Sequence, residues 1–313
     1  MLTTPVIRCI KEQLHEVELH YLTKEEYKPL LLNNPYIDKI HTIKKDLKKI
    51  LPDLKKEKFD YIIDLHKNIR SLFIKLSLIG IPSLTFQKLT FKKWLLVKFK
   101  INVMPSIHIV DRYLSTVKFL NIFNDNKGLD YFIDEKNIVN LNELPETFRN
   151  EYVAIVLGSK HNTKQLPTDK LISLCQKINI PMVLIGSKED KDKGELIKKS
   201  VENKIYNACG IFNINQSASL VQQAKMVITP DTGLMHIAAA FQKKIISIWG
   251  NTVPAFGMYP YLPEDIKNRS VIIETNGLLC RPCSRLGYKT CPEKHFNCMN
   301  RINENTIAEI VNS

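Results

Sequence analysis

Residues 226–240, Met-Val-Ile-Thr-Pro-Asp-Thr-Gly-Leu-Met-His-Ile-Ala-Ala-Ala, constrain the fold more than any other stretch of the chain. An apolar run ends in Thr-Pro-Asp-Thr-Gly and a segment of small, helix-favouring residues begins at once, which predicts strand, tight turn and helix. A helix starting there leaves its first backbone N–H groups unpaired at an electropositive end, so the turn suits the oxygens of a diphosphate. Asp231 or Thr232 is expected to cap those donors, and Gly233 to let a ligand approach the backbone. Read alone, the turn is more simply an ordinary strand-to-helix junction whose Asp is only a cap. The context adds to it. Lys243 and Lys244 lead into a second apolar run, 245–250, the expected next strand of a β-α-β unit, and its loop, 250–254, flanks the same helix N-terminus.

Asp231-Thr232-Gly233-Leu234-Met235-His236, then a small-residue helix and a strand ending in Trp249-Gly250-Asn251-Thr252, resembles the donor-site motif of the ADP-heptose:lipopolysaccharide heptosyltransferases, glycosyltransferase family 9. The resemblance extends over nearly the whole chain. It implies an α/β chain of the GT-B class, with two Rossmann-like doubly wound domains facing a cleft. An acceptor-side domain is expected over 1–135 and a nucleotide-sugar domain over 136–313.

Length and composition agree with this. A chain of 313 residues fits two domains of about 150 each, and 44% apolar with 25% charged residues describes a globular protein. No apolar run approaches the roughly 18 residues of a membrane span, and the first residues lack the apolar core of a secretion signal, so a cytoplasmic protein is expected. The net charge of +13 admits nucleic acid, an anionic membrane face or phosphorylated substrates as partners. Much of it comes from Lys44-Lys45, Lys48-Lys49, Lys55-Lys56 and Lys92-Lys93, and such runs are most often solvated surface. They also suit an enzyme of phosphorylated glycolipid in peripheral contact with the inner face of the cytoplasmic membrane.

In the first half, strands are expected over 17–22, 40–43 and 59–65, with helices over 4–14, 27–32, 46–51 and from Ser71 to about Leu78, the alternation of a parallel sheet. The chain opens directly on a helix. In the family, the segment resembling 2–8 follows a first strand and a Gly-Asp turn whose Asp is regarded as the general base. The expectation is therefore a start downstream of that strand, and no base is assigned. Asp64-Leu65-His66 resembles the family's acceptor-side segment, which makes His66 an acceptor contact or a structural hydrogen-bonder. From 84 to 103, Phe86, Phe91, Trp94 and Phe99 interleave with lysines, as a membrane or acceptor patch or as a surface helix burying its aromatics. His108-Ile109-Val110-Asp111-Arg112-Tyr113 looks like a family helix of structural role, and 121–151 reads as the interdomain connection.

The second half opens on an apolar strand, 152–158, and a loop carrying Ser159 and, five positions on, Lys164, then Pro167. A mobile lysine charge beside hydroxyls suits a diphosphate. The family has this spacing, with Trp where Leu166 stands here, and Lys164 becomes the expected catalytic phosphate contact beside Asp231, Thr232 and Gly233. Past the strand 182–186, the family's ribose-binding acid corresponds to Glu189 or Asp190, with Glu189 favoured, although either can cap the next helix. Phe212 stands where the family packs its adenine, or is a core residue. Leu234 and His236 complete the expected donor site.

Cys280-x2-Cys283, with Cys291, His295 and Cys298, raises structural zinc and a basic nucleic-acid-binding protein as the alternative. The second pair is spaced Cys-x6-Cys, and the family carries a similar segment not generally treated as a metal site, so no metal ligand, no cofactor and no nucleic-acid partner is assigned. The reaction that the resemblance implies is metal-independent, inverting transfer of heptose from an ADP-heptose donor to the inner core of lipopolysaccharide. A related transferase using another nucleotide sugar is the nearer alternative.

Overall fold

A computed structural model of the chain describes residues 1–44 and 46–313, and the backbone alone of Glu202. Lys45, one of the paired lysines, lies outside the described residues. The chain divides into two compact units, 1–90 with 107–132, and 91–106 with 133–313.

The first unit contains α1 (Thr4–Gln13), β1 (His20–Lys24), β2 (Lys39–Ile43), α2 (Leu51–Lys56), β3 (Ile62–Asp64), α3 (Ile69–Ser77), β4 (Ser83–Thr85) and, after α4 (Thr90–Phe99), α5 (Ile109–Leu114). β1 pairs with β2 and β3 with β4, both in parallel. The strand expected over 59–65 shortens to three residues because its partner, β4, is equally short. The helix expected over 46–51 begins later, a 3₁₀ turn at Lys48–Ile50 leading into α2 at Leu51-Pro52, where proline is tolerated in a first turn. Asn68 and Ser71 form a reciprocal cap at the start of α3, and the His108 imidazole caps α5 by accepting from the Val110 amide at 3.1 Å. His108 thus has the structural role expected of its segment.

The second unit is built on β5 (Val153–Val156), α6 (Thr168–Lys177), β6 (Met182–Ile185), α7 (Lys191–Ser200), β7 (Ile205–Asn207), α8 (Ile214–Gln223), β8 (Met226–Pro230), α9 (Gly233–Ala240), β9 (Lys244–Trp249), β10 (Ser270–Glu274), α10 (Asn297–Asn300) and α11 (Glu304–Asn312). All six strands are parallel, in the order β10-β9-β8-β5-β6-β7. Numbered from β5, that is the 3-2-1-4-5-6 order of a doubly wound sheet, which reverses between β5 and β8. β5, β6 and β8 are buried throughout, which explains their apolar sequences, broken only by Thr229: helices cover both faces of a parallel sheet. The core runs from Ile155, Leu184 and Ile228 through Leu171 and Leu174 of α6 to Ile307 and Val311 of α11.

α11 is fastened to α6 by Glu304, which pairs with Lys170 at 2.7 Å and accepts from the Ser173 hydroxyl at 3.0 Å. These contacts, with Lys170 the chief one, hold its carboxyl down at about 2. A carboxylate whose folded pKa is depressed contributes stability that is complete above its unfolded value near 4.5 and is lost as pH falls through about 2. Glu304→Gln is expected to cost about 1–2 kcal/mol at pH 7. In urea unfolding, the gap between parent and variant midpoints should narrow from about pH 5 to pH 3; a gap that stays constant would remove Glu304 ionisation as its cause.

α4 lies with the second unit apart from its first residue. Leu96 packs against Val253 and Phe256, and Lys93 sits over the Phe256 ring, while Phe91, Trp94 and Phe99 remain exposed and touch one another. The reading that the aromatics of 84–103 are buried holds for Phe86, ahead of the helix, and is corrected for α4, where Leu96 is the buried apolar residue and those three rings face solvent. Among the described residues no helix is long and apolar enough to cross a membrane.

Candidate functional site

In open α/β sheets ligands bind beyond the carboxyl ends of the strands, where the strand order reverses. Here that point lies between β5 and β8. The loop leaving β5 carries Ser159 and Lys164, and the loop leaving β8 carries Asp231 and Thr232. Parallel pairing of β5 with β8 brings the two loops together, so that Lys164 Nζ lies 2.6 Å from Asp231 Oδ2 across 67 residues of sequence. Thr252, from the loop after β9, donates to the same oxygen at 2.9 Å.

This arrangement corrects the expected cap. Asp231 turns its carboxylate toward Lys164 and Thr252, and Thr232 occupies the N-cap position of α9 without a side-chain hydrogen bond to the helix. The first amides of α9 therefore keep their donors and the electropositive end keeps its charge. Asp231 instead fixes where the Lys164 ammonium stands, leaving that ammonium further N–H donors to offer a ligand. Gly233 is exposed, and a Cβ built on it meets nothing within 4 Å. The chain's own packing does not require glycine there. His236 and Leu234 are half-buried on the first turns of the same helix.

The remaining expected residues follow along the same edge of the sheet. Glu189, after β6, is exposed, and its carboxyl is held below the ordinary value chiefly by the Ser187 hydroxyl. Asp190 is buried and accepts from the amide and hydroxyl of Ser187, both at 2.8 Å, so its carboxylate serves the turn. Phe212, after β7, is half-buried. The structure thus joins Lys164, Asp231 and Thr252 in direct contact, while Glu189 and Phe212 stand on separate loops. In the first unit, His66 is exposed at the end of β3 beside Asn68, and burial of its ring, then the Lys88 charge, lowers its pKa. Asp64 accepts from the His66 and Lys67 amides at 3.0 and 2.7 Å and so shapes that loop.

The cysteine-rich segment has a part here that its cysteines did not signal. Arg281 donates to the carbonyls of Gly250, Thr252 and Thr275 at 2.6, 3.0 and 3.1 Å and pairs with Glu274 at 2.5 Å. It holds the loop that presents Thr252 to Asp231. Tyr288 binds the β5 loop in turn: its amide donates to Thr163 Oγ1 at 2.8 Å and its carbonyl accepts from the Thr163 amide at 3.2 Å. Where the two loops meet, a Cβ on Gly250 would lie 2.8 Å from the Thr163 carbonyl oxygen, so this close approach needs glycine. Asn251 beside it is 1% exposed, and both polar atoms of its amide lack a hydrogen-bond partner among the described residues. The zinc reading of Cys280, Cys283, Cys291, His295 and Cys298 finds little geometric support. Cys280 Sγ is 3.8 Å from His295 Nε2, but among the described residues no three of these ligand atoms gather within 4.8 Å.

A sequence profile of glycosyltransferase family 9 (heptosyltransferase) matches residues 47–295. The lipopolysaccharide heptosyltransferase 1 of Campylobacter coli is 25% identical over an alignment of 335 positions, covering 98% of this chain and 92% of the relative. Among solved structures, a family 9 glycosyl transferase from Veillonella parvula superposes with a TM-score of 0.72 at 20% identity, over 88% of this chain and 82% of the other. The E. coli heptosyltransferase WaaC, solved with ADP and with ADP-2-deoxy-2-fluoro heptose, superposes with a TM-score of 0.68 at 15% identity, over 99% and 94%.

Proposed function

The chain belongs to glycosyltransferase family 9 (heptosyltransferase), and from that premise we propose that it moves a heptose from ADP-L-glycero-D-manno-heptose to an inner-core sugar of lipopolysaccharide. The observation that carries the donor assignment is the uncapped N-terminus of α9 with Lys164 beside it, at the point where the strand order reverses. In the transfer, an acceptor hydroxyl oxygen attacks the anomeric carbon opposite the diphosphate and gives up its proton to a general base, to which no residue of this chain is assigned. The bond from that carbon to the phosphate oxygen breaks, its electron pair leaves with ADP, and the configuration inverts. Negative charge grows on the departing phosphate, and Lys164 with the α9 amides stabilises it without a metal ion in this step. Ser159, Thr232, Leu234 and His236 line the donor, Glu189 takes the ribose hydroxyls and Phe212 packs the adenine. The complexes of the E. coli neighbour with ADP and with ADP-2-deoxy-2-fluoro heptose support this donor class.

On the acceptor side, a depression in the first unit, where β1 and β2 end and α3 begins, is lined by Lys24, Lys44, Lys48 and Arg70 together with Glu25, Glu26 and Asp46, a mixed set of charged groups that offers both donors and acceptors to the hydroxyls of a sugar. The exposed Phe91, Trp94 and Phe99, among the lysines of α4, support peripheral contact with an anionic inner leaflet by a cytoplasmic enzyme.

Gly233→Ala tests the donor site. With open space around the position, the added methyl leaves folding unchanged or adds up to about 1 kcal/mol through helix propensity. A diphosphate resting on that backbone would be displaced, so ADP affinity should fall about tenfold or more, which is 1.4 kcal/mol or above. Calorimetric titration of parent and variant with ADP, UDP and GDP, beside their melting temperatures, decides it. Equal ADP affinity in the variant would remove the diphosphate from this turn, and a preference of the parent for UDP or GDP would point to another nucleotide sugar.

A further inference from the structure

We propose that His20, His41 and Glu57 of the first unit form a binding site for a divalent cation of the zinc class. β1 and β2 run parallel with His20 opposite Lys39, so His41, two residues further on, stands on the same face as His20. His20 Nδ1 lies 3.0 Å from His41 Nε2, and Glu57, just past the end of α2, places its two oxygens 3.9 Å from these nitrogens. All three ligand atoms fall within 4.8 Å of one another. Around a tetrahedral zinc with bonds of about 2.0–2.2 Å, ligand atoms are about 3.3 Å apart. The two imidazoles are thus already near the required bite, and the carboxylate, whose two oxygens each approach a different nitrogen, has to turn one of them toward both.

The surroundings prepare these atoms for a cation. The His20 and His41 side chains are 7% and 5% exposed and that of Glu57 is 18% exposed, so little water competes for them. Glu18 Oε1 lies 2.8 Å from His20 Nε2 and, as a carboxylate, accepts its proton, which leaves the His20 lone pair on Nδ1, toward His41. A carboxylate behind a ligating imidazole is the usual outer partner of such sites. Phe59 meets both rings edge-on, with ring centres 5.2 and 6.3 Å away, and holds their planes. Without a cation, the His41 Nε2–H donates to His20 Nδ1; with one bound, His41 carries its proton on Nδ1 and both facing nitrogens ligate. Two imidazoles and one carboxylate favour zinc over magnesium or calcium, and three protein ligands leave one position for water. The ion would tie β1 and β2 to the end of α2. Lys39 is its built-in competitor, since its ammonium pairs with Glu57, and at 51% exposed it is free to swing away.

This inference does not rest on the donor-site reading, and its test reads metal rather than turnover. The purified full chain is stripped of metal and titrated with zinc against a chromophoric chelator, then with cobalt(II) as a visible-absorbing stand-in. One equivalent is expected at this site, with cobalt bands of a nitrogen–oxygen site and no thiolate charge-transfer band. Zinc should also raise the melting temperature. His20→Gln and Glu57→Gln should each weaken binding about tenfold or more, which is the loss typical of a removed or disturbed ligand environment. Lys39→Gln should tighten it by freeing Glu57, while Cys280→Ser with Cys283→Ser should leave it unchanged. Glu57 and Lys39 lie at the rim, so at least these two variants are expected to keep the parent circular dichroism. Overturning results are no zinc uptake by the parent, unchanged affinity in Glu57→Gln, or loss of binding in the cysteine variant.

Discussion

Lys164→Ala should slow heptosyl transfer by about 10²–10³-fold, the usual cost of removing one donor aimed at developing negative charge. The magnitude follows from two losses in one place. The ammonium proposed to face the departing phosphate disappears, and Asp231, 2.6 Å from it and 14% exposed, is left with Thr252 as its hydrogen-bond donor. An uncompensated carboxylate then stands at the proposed diphosphate site and would repel it. Lys164→Arg keeps the charge and should recover part of the rate, whereas Asp231→Asn should release Lys164 and weaken ADP with a smaller loss in kcat. Steady-state kcat and KM with ADP-heptose, beside ADP titrations, separate these cases. A fall confined to KM would mean that Lys164 binds ground and transition states equally, and an unchanged kcat/KM would take it out of the site.

Arg281→Ala should destabilise the protein by about 3–5 kcal/mol, the range for breaking a buried ion pair from one side. Its guanidinium is 7% exposed and serves three carbonyl oxygens and the Glu274 carboxylate, all left without that donor by truncation. Arg281→Lys should rescue little, because a point charge cannot reach four acceptors that a planar fork bridges. Two of those carbonyls belong to Gly250 and Thr252, so the surviving folded fraction should also bind ADP more weakly as Thr252 leaves Asp231. Urea unfolding followed by circular dichroism, with Cys283→Ser as the comparison, reads the first effect and calorimetry the second. A midpoint for Arg281→Ala equal to that of the parent would show that the loop holds without it.

The two arginine and lysine predictions meet in one design. Three chain segments far apart in sequence, 159–164, 231–233 and 250–252, converge at one edge of the sheet, and the cysteine-rich segment braces two of them. The protein is a family 9 glycosyltransferase of GT-B fold, and at the reversal point of its six-stranded sheet Arg281 and Tyr288 hold the loops that carry Lys164 and Thr252.

The sequence by itself determined what depends on neighbours along the chain. Apolar runs marked β5, β6, β8 and β9, broken only by the buried Thr229 and Ser247 and by Lys244 at the start of β9, because a strand covered on both faces has no polar side. The Thr-Pro-Asp-Thr-Gly turn before small residues marked where α9 begins, since proline, glycine and alanine act locally on the backbone. Tertiary structure decided what those residues do. Asp231 reads as a cap by residue type, yet pairing of β5 with β8 puts Lys164 within reach, and a charged partner outcompetes a cap. The Cys-x2-Cys run draws attention to its thiols, while the residue at work is Arg281 between them, because its acceptors lie on a loop that only the folded sheet brings near. His20 and His41 carry no motif spacing at all. Strand register sets them on one face, and a contact between parallel strands is a property of the pair that neither strand encodes alone.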